Sequence, residues 1–142
     1  RLFNFRSGMQ IENALIALGS APLYRLSLTS VGIYIPESPT DFAFALTSNV
    51  FGIMGNVVIL ICFLFMDSYL ISYNKMLKDR EKKVFARVFL GIFLMSQIIN
   101  ISMNLGLMPI IGIPLPFISY GGSSTITLFL FMGIIFSKKK AQ

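Results

Sequence analysis

The chain has 142 residues, 55% hydrophobic and 13% charged, with a net charge of +6 and a mean hydropathy of +0.76. A soluble domain carries about a quarter charged residues, so this balance excludes an ordinary soluble domain and points to an all-α, polytopic integral membrane segment. The positive charge is no nucleic-acid patch: Lys75, Lys78, Arg80, Lys82, Lys83 and Arg87 lie between two apolar runs, and Lys138–Lys140 follow the last one, which is the positive-inside pattern of cytoplasmic loops.

In chain order, residues 1–41 are mixed in polarity. Met9, Ile11, Leu15 and Leu18 fall along one helical side, which predicts a short helix lying at the membrane interface. Gly19-Ser20-Ala21-Pro22 should end it, with loop or extended chain following to Pro36. Residues 42–73 read as a first transmembrane helix, with Thr40 or Asp41 placed to cap it. Gly52 and Gly55 inside it suit close helix packing. Residues 74–87 read as a cytoplasmic loop.

The uncharged run from Val88 to Ser137 is interrupted by Pro109, Pro114 and Pro116. Proline lacks the helical donor and clashes with the preceding turn, so the run divides into spans 88–108 and 117–137. Each is long enough for a ~30 Å hydrocarbon core at ~1.5 Å per residue. Residues 109–116 form an extracytoplasmic elbow, and 138–142 a cytoplasmic tail. Three spans make a poor bundle, and the chain begins at Arg1 with no signal-peptide pattern. It is therefore expected to be the C-terminal portion of a longer protein.

Candidates for chemistry are few. The sequence has no histidine, which excludes His-based catalysis and most zinc sites. It shows no Walker-type phosphate loop. The single Cys62 permits no internal disulfide and reads as a buried small hydrophobe. Asp79 and Glu81 belong to the basic loop, Glu12 to the wet side of the interfacial helix, and Asp67 reads as a snorkelling or loop-paired carboxylate. Glu37 and Asp41 remain, at the level of the elbow. Taken by itself Asp41 could be a simple helix cap, and Gly121-Gly122-Ser123-Ser124 a small-residue packing face where a larger residue at Gly122 would overpack.

Two motifs then resemble one family. Asn100, Gly106, Leu107, Pro109, Gly112, Ile113, Phe117, Ile118 and Ser119-Tyr120-Gly121-Gly122-Ser123-Ser124 are similar in register to the C-terminal signature of the SEDS family (shape, elongation, division and sporulation; RodA, FtsW and SpoVE). Ile35-Pro36-Glu37-Ser38-Pro39-Thr40-Asp41-Phe42-Ala43-Phe44-Ala45 resembles a second family segment, Leu-Pro-Glu-x-His-Thr-Asp-Phe-x-Phe-Ala, which ends a large extracytoplasmic loop. The resemblance implies the last three of ten helices and a bacterial plasma (inner) membrane location. It implies polymerisation of lipid II into peptidoglycan glycan strands, in cell-wall elongation or division and cell shape. It carries the catalytic role to Asp41 and a substrate-binding or supporting role to Glu37, Thr40, Ser119, Tyr120, Gly121, Gly122, Ser123 and Ser124.

The implied partners are lipid II, membrane lipid and a class B penicillin-binding protein transpeptidase. No cofactor is identified; a divalent cation on the pyrophosphate fits the chemistry, although no metal-ligand cluster is visible. Partial burial where loop meets membrane would strengthen an aspartate as a base. The elbow's Gly-Ile-Pro-Leu-Pro leans to the RodA type. Departures are Pro39 for the family's His, Asn49-Val50-Phe51-Gly52 for Glu-Glu-Leu-Gly, and Ala21-Pro22 for two loop glycines. The last exchange restricts backbone dihedrals. Two other classes of function stay open: a lipid-linked precursor transporter (flippase), with Asn100, Ser102 and Asn104 as its polar cluster, and a catalytically inactive scaffold that activates a partner transpeptidase.

Overall fold

The computed structural model describes residues 2–24 and 40–137. Its regular elements are all helices: α1 (Leu2–Gly19), α2 (Ala43–Phe51), α3 (Ile53–Met76), α4 (Arg80–Asn104) and α5 (Gly122–Phe136). α3 and α4 are each long and apolar enough to cross a membrane, and α5 is a shorter apolar helix. The all-α membrane class read from composition is the class observed.

The first predicted span differs. Residues 42–73 are not one helix: α2 ends at Phe51, and Gly52 (φ 74°, ψ −170°) separates it from α3. That backbone region is essentially reserved for glycine. The free N–H groups of Ile53 and Met54 are taken by the carbonyls of Pro22 (3.0 Å) and Leu23 (3.1 Å). Thus the chain leaving α1 caps α3. At the other end, α4 starts at Arg80, well inside the segment 74–87 read as loop. Asp79 sits at its cap and accepts from the Glu81 N–H at 3.2 Å. Lysine, arginine and glutamate are good helix formers, so the charges sit on the first turns of a helix, and the connection shrinks to 77–79.

α4 stops at Asn104, before the first proline. Gly106 adopts φ 72°, its N–H bonds the Met103 carbonyl, and the Leu107 N–H bonds the Ser102 carbonyl. This is a Schellman ending. The elbow therefore extends from Leu105 to Gly121, wider than 109–116, and α5 starts later than residue 117.

α1 is packed as well as amphipathic. Ala14 and Ala17 bury against Phe42 and Ala45, and its side chains crowd Gly106, whose Cβ would meet Leu15 at 3.3 Å. The buried face is thus centred on the alanines, while Leu15 and Ile16 stay exposed. Aromatic rings join the remaining helices: Phe93 contacts Phe63 of α3 at 6.4 Å, Phe89 at 5.8 Å and Phe117 of the elbow at 5.9 Å, and Phe89 contacts Phe131 of α5 at 5.8 Å. Cys62 is exposed on α3, on the wide apolar face that also carries Leu64 and Phe65. Asp67 neither snorkels nor pairs in a loop. It is buried and accepts from Gln97 Nε2 of α4 at 3.1 Å.

The ends of the helices define two poles. Lys82 Nζ donates to the Ser137 carbonyl, and the Tyr73 hydroxyl to the Ile135 carbonyl at 3.5 Å. Hence the basic connection and the end of α5 lie together. Asn100 and Asn104 stand at the other end of α4, whose 25 residues span about 37 Å at ~1.5 Å per residue.

Candidate functional site

The pole opposite the lysines is assembled from three segments distant in sequence. Asn100 and Asn104 are one helical turn apart at the end of α4 and are fully buried. A buried amide must find partners, and these two find them in the segments that carry the signature motifs. Asn100 Nδ2 donates to the Asp41 carbonyl (3.0 Å) and to the Ile113 carbonyl (2.8 Å). Asn104 Nδ2 donates to the same Asp41 carbonyl (3.1 Å), and its Oδ1 accepts the Ala45 N–H (3.1 Å). Asn104 also donates to the carbonyl and the side-chain oxygen of Asn100, at 2.9 and 3.1 Å.

The cap position of α2 falls on Phe42, not on Thr40 or Asp41, and Phe42 makes no side-chain cap bond. One of the donors a cap would serve, the Ala45 N–H, goes to Asn104 instead. Asp41 is half-buried and faces the elbow: a Cβ built on Gly112 would lie 3.6 Å from its Oδ2. Gly112 has φ 73°, a conformation in which a side chain is strained. The carboxylate thus stands beside bare backbone, with its own carbonyl held by two amides.

The other predicted residues divide into two walls. Tyr120, Gly121 and Gly122 line an open groove of about 550 Å³ together with Ser119, Thr125 and, from α2, Ala43 and Thr47. Ser123 and Ser124 face a second cavity of about 320 Å³ between α4, the elbow and α5, which Ser119 also touches. Ser119 is buried, and its Oγ accepts the Leu115 N–H at 2.8 Å, so its role in this chain is to close the elbow turn. Tyr120 is 79% exposed. Thr40 is half-buried next to Asp41, and Glu37 lies outside the described residues. The expected packing of Gly122 against a neighbouring helix is not made within the described chain, because a Cβ there would meet nothing within 4 Å.

Thr47 was not among the predicted site residues, and Asn104 was named only in the polar cluster of the transporter reading. For Asn104 a signal existed: two amides one turn apart near the end of an apolar helix cannot face lipid. For Thr47 there was none, since its place on the groove depends on how α2 meets α5. Among the described residues no three His, Cys, Asp or Glu side chains gather into a metal-binding group.

Known proteins resemble this chain along nearly all of its length. The family model for cell cycle proteins of the FtsW/RodA/SpoVE group matches residues 3–142. Similar curated proteins include "Peptidoglycan glycosyltransferase RodA" of Treponema pallidum, 32% identical over 141 residues, covering 96% of this chain and 33% of that protein. "Probable peptidoglycan glycosyltransferase FtsW" of Wigglesworthia glossinidia brevipalpis is 38% identical over 140 residues, covering 92% and 36%. "Peptidoglycan glycosyltransferase MrdB" of Escherichia coli K12 is 32% identical over 139 residues, covering 92% and 36%. The chain spans about a third of the length of these relatives. RodA and FtsW names both occur at comparable identity, so the elbow's lean to RodA is not separated by them.

Proposed function

We propose a function from one premise: the chain belongs to the FtsW/RodA/SpoVE family of cell cycle proteins. The parent protein is a peptidoglycan glycosyltransferase, as the relatives' names state of them, and this chain supplies its general base. The substrate is lipid II. The 4-hydroxyl oxygen of one glycan attacks C1 of another, and the C1–O bond to undecaprenyl pyrophosphate breaks. The electron pair leaves with the pyrophosphate, and the hydroxyl proton passes to Asp41. A pyrophosphate is already a good leaving group, so the base matters more than an acid, and a positioned base contributes ~10²–10⁴-fold.

The observation that supports this reading best is the setting of Asp41. It is half-buried, faces glycine backbone and lies two residues before Ala43, where the wall of the open groove begins. Thr40 and Glu37, which precede it in the sequence, are its supporting residues, and Ser119–Gly122 shape the groove for the sugars. A divalent cation, if used, would be carried on the substrate's pyrophosphate. The parent is a multi-pass protein of the bacterial plasma membrane, with 77–83 and the lysine tail in the cytoplasm and the elbow outside. It works beside a class B penicillin-binding protein transpeptidase. The transporter reading loses its polar cluster, since Asn100 and Asn104 are occupied by backbone groups.

The test is lipid II polymerisation by the purified full-length parent carrying Asp41→Asn. Asn is nearly isosteric and keeps the backbone contacts but cannot accept a proton. Activity should fall by ~10²–10⁴-fold with normal membrane insertion. Wild-type rates would return Asp41 to a structural role and put the base elsewhere, whereas no polymerisation even with Asp41 intact would favour the inactive-scaffold reading.

A further inference from the structure

The geometry points to Asn100 and Asn104 as positioning residues that act through Asp41, fixing its peptide plane against the elbow. This inference rests on the general-base reading of Asp41 and adds the device that aims it. A buried backbone carbonyl usually takes one donor, yet the Asp41 carbonyl takes two, from Asn100 and from Asn104. Two donors on one oxygen hold the plane of the 41–42 peptide, which contains the Asp41 Cα, and so fix the point from which the carboxylate extends.

The second N–H of Asn100 goes to the Ile113 carbonyl, next to Gly112, the residue the carboxylate faces. One carboxamide therefore ties the base and the elbow segment behind it to the same helix turn. Asn104 Oδ1 meanwhile holds the Ala45 N–H, setting where α2 begins. Both amides have 0% exposure, so water does not compete for these bonds. A reacting hydroxyl must lie within about 3 Å of the base, and misplacement by ~1 Å costs on the order of 10²-fold.

Asn100→Leu and Asn104→Leu conserve approximate shape and charge while deleting the donors. The control is Gln97→Met, one turn earlier on α4, which deletes the donor to Asp67 and does not touch the site. Rates of lipid II polymerisation are measured on the purified full-length parent with its partner, at varied substrate concentration, alongside thermal unfolding. In each Asn variant kcat is expected to fall about 10- to 100-fold with KM within about two-fold. Gln97→Met should lower the unfolding temperature with kcat unchanged.

Where a Leu variant does not accumulate, the Ser variant, smaller and still neutral, is read the same way. Wild-type kcat in the Asn variants overturns the inference, as does a loss of kcat matched by Gln97→Met at equal loss of stability. Failure of every Asn100 and Asn104 variant to insert also overturns it, since the pair would then be scaffolding alone. Asp41→Asn in the same assay separates the two claims. If it is inactive while the Asn variants turn over normally, the base reading stands and the positioning inference falls. If it is active, the base reading itself falls.

Discussion

The chain interrupts its apolar runs twice, and the two interruptions are built differently. At Gly52 one residue makes the break. The gap is sealed at the break itself: Gly52 N–H bonds the Ser48 carbonyl, the Pro22 and Leu23 carbonyls arrive from the end of α1 to cap α3, and Asn56 links Thr47 and Ser48 side chain to side chain. At the elbow the break runs from Leu105 to Gly121, with left-handed backbone at Gly106, Gly112 and Phe117. Its Ile113 carbonyl accepts from Asn100 Nδ2, the amide that, together with Asn104, also reaches the Asp41 carbonyl across 59 and 63 residues. A short break whose free N–H groups are capped by backbone carbonyls serves the path of the helix. A long one, tied by the Asn100 amide to the same helix end that holds the Asp41 peptide, leaves backbone beside a carboxylate, and this is where chemistry can be placed.

If that distinction holds, substitutions at the two breaks should differ in kind. The largest effect is expected at Gly112. Alanine there has room, because its Cβ would make an ordinary 3.6 Å contact with Asp41 Oδ2, but φ 73° disfavours it by about 1–2 kcal/mol. The elbow should relieve this by shifting under the carboxylate. Gly112→Ala should thus reduce polymerisation by the parent protein on the order of 10²-fold, more than its change in unfolding temperature explains. An activity loss no larger than the loss of folded protein would erase the distinction.

Gly52→Ala comes next. Its backbone (φ 74°, ψ −170°) lies where non-glycine residues cost about 1–3 kcal/mol, and the residue is buried. Yet α2's nine residues place the break about 13 Å from the site at ~1.5 Å per residue. The expected result is a lower unfolding temperature with unchanged turnover per folded molecule. Comparing circular dichroism melts with initial rates, normalised to folded protein, checks it. A specific fall in turnover would mean the two breaks are coupled.

The contrast also shows what could be read from the chain beforehand. Pro109, Pro114 and Pro116 announce the elbow because proline breaks helices for local reasons. Gly52 does not announce itself, since a lone glycine is tolerated inside a helical pattern, and its dihedrals depend on Pro22 and Leu23 arriving to cap α3. The start of α4 at Arg80 was hidden for the opposite reason. A run of charges looked like loop, although Asp79 and Glu81 are the residues a helix start favours. Elimination of the other carboxylates left Asp41 and Glu37, but the roles given to Asp41 and Ser119–Ser124 came only through the family resemblance. Their arrangement was not legible, because it rests on side chains of α4 reaching backbone groups across the fold.

The smallest effect should fall at Gly122, which sharpens the comparison by marking where the elbow's constraint ends. Spacing alone suggested a packing face there, intolerant of any larger residue. In the structure Gly122 opens α5 without left-handed backbone, and an added Cβ would meet nothing within 4 Å. Alanine is the better helix former by up to ~1 kcal/mol in a helix interior and by less at an end. Gly122→Ala should therefore leave the parent's unfolding temperature unchanged or slightly raised, in contrast with Gly112→Ala ten residues earlier. The measurement is thermal unfolding of the full-length protein in detergent, with the two alanine variants side by side. A loss at Gly122 as large as that at Gly112 would show that a helix from outside this chain packs against the start of α5, and the small-residue reading of Gly121-Gly122 would return with that helix as its partner.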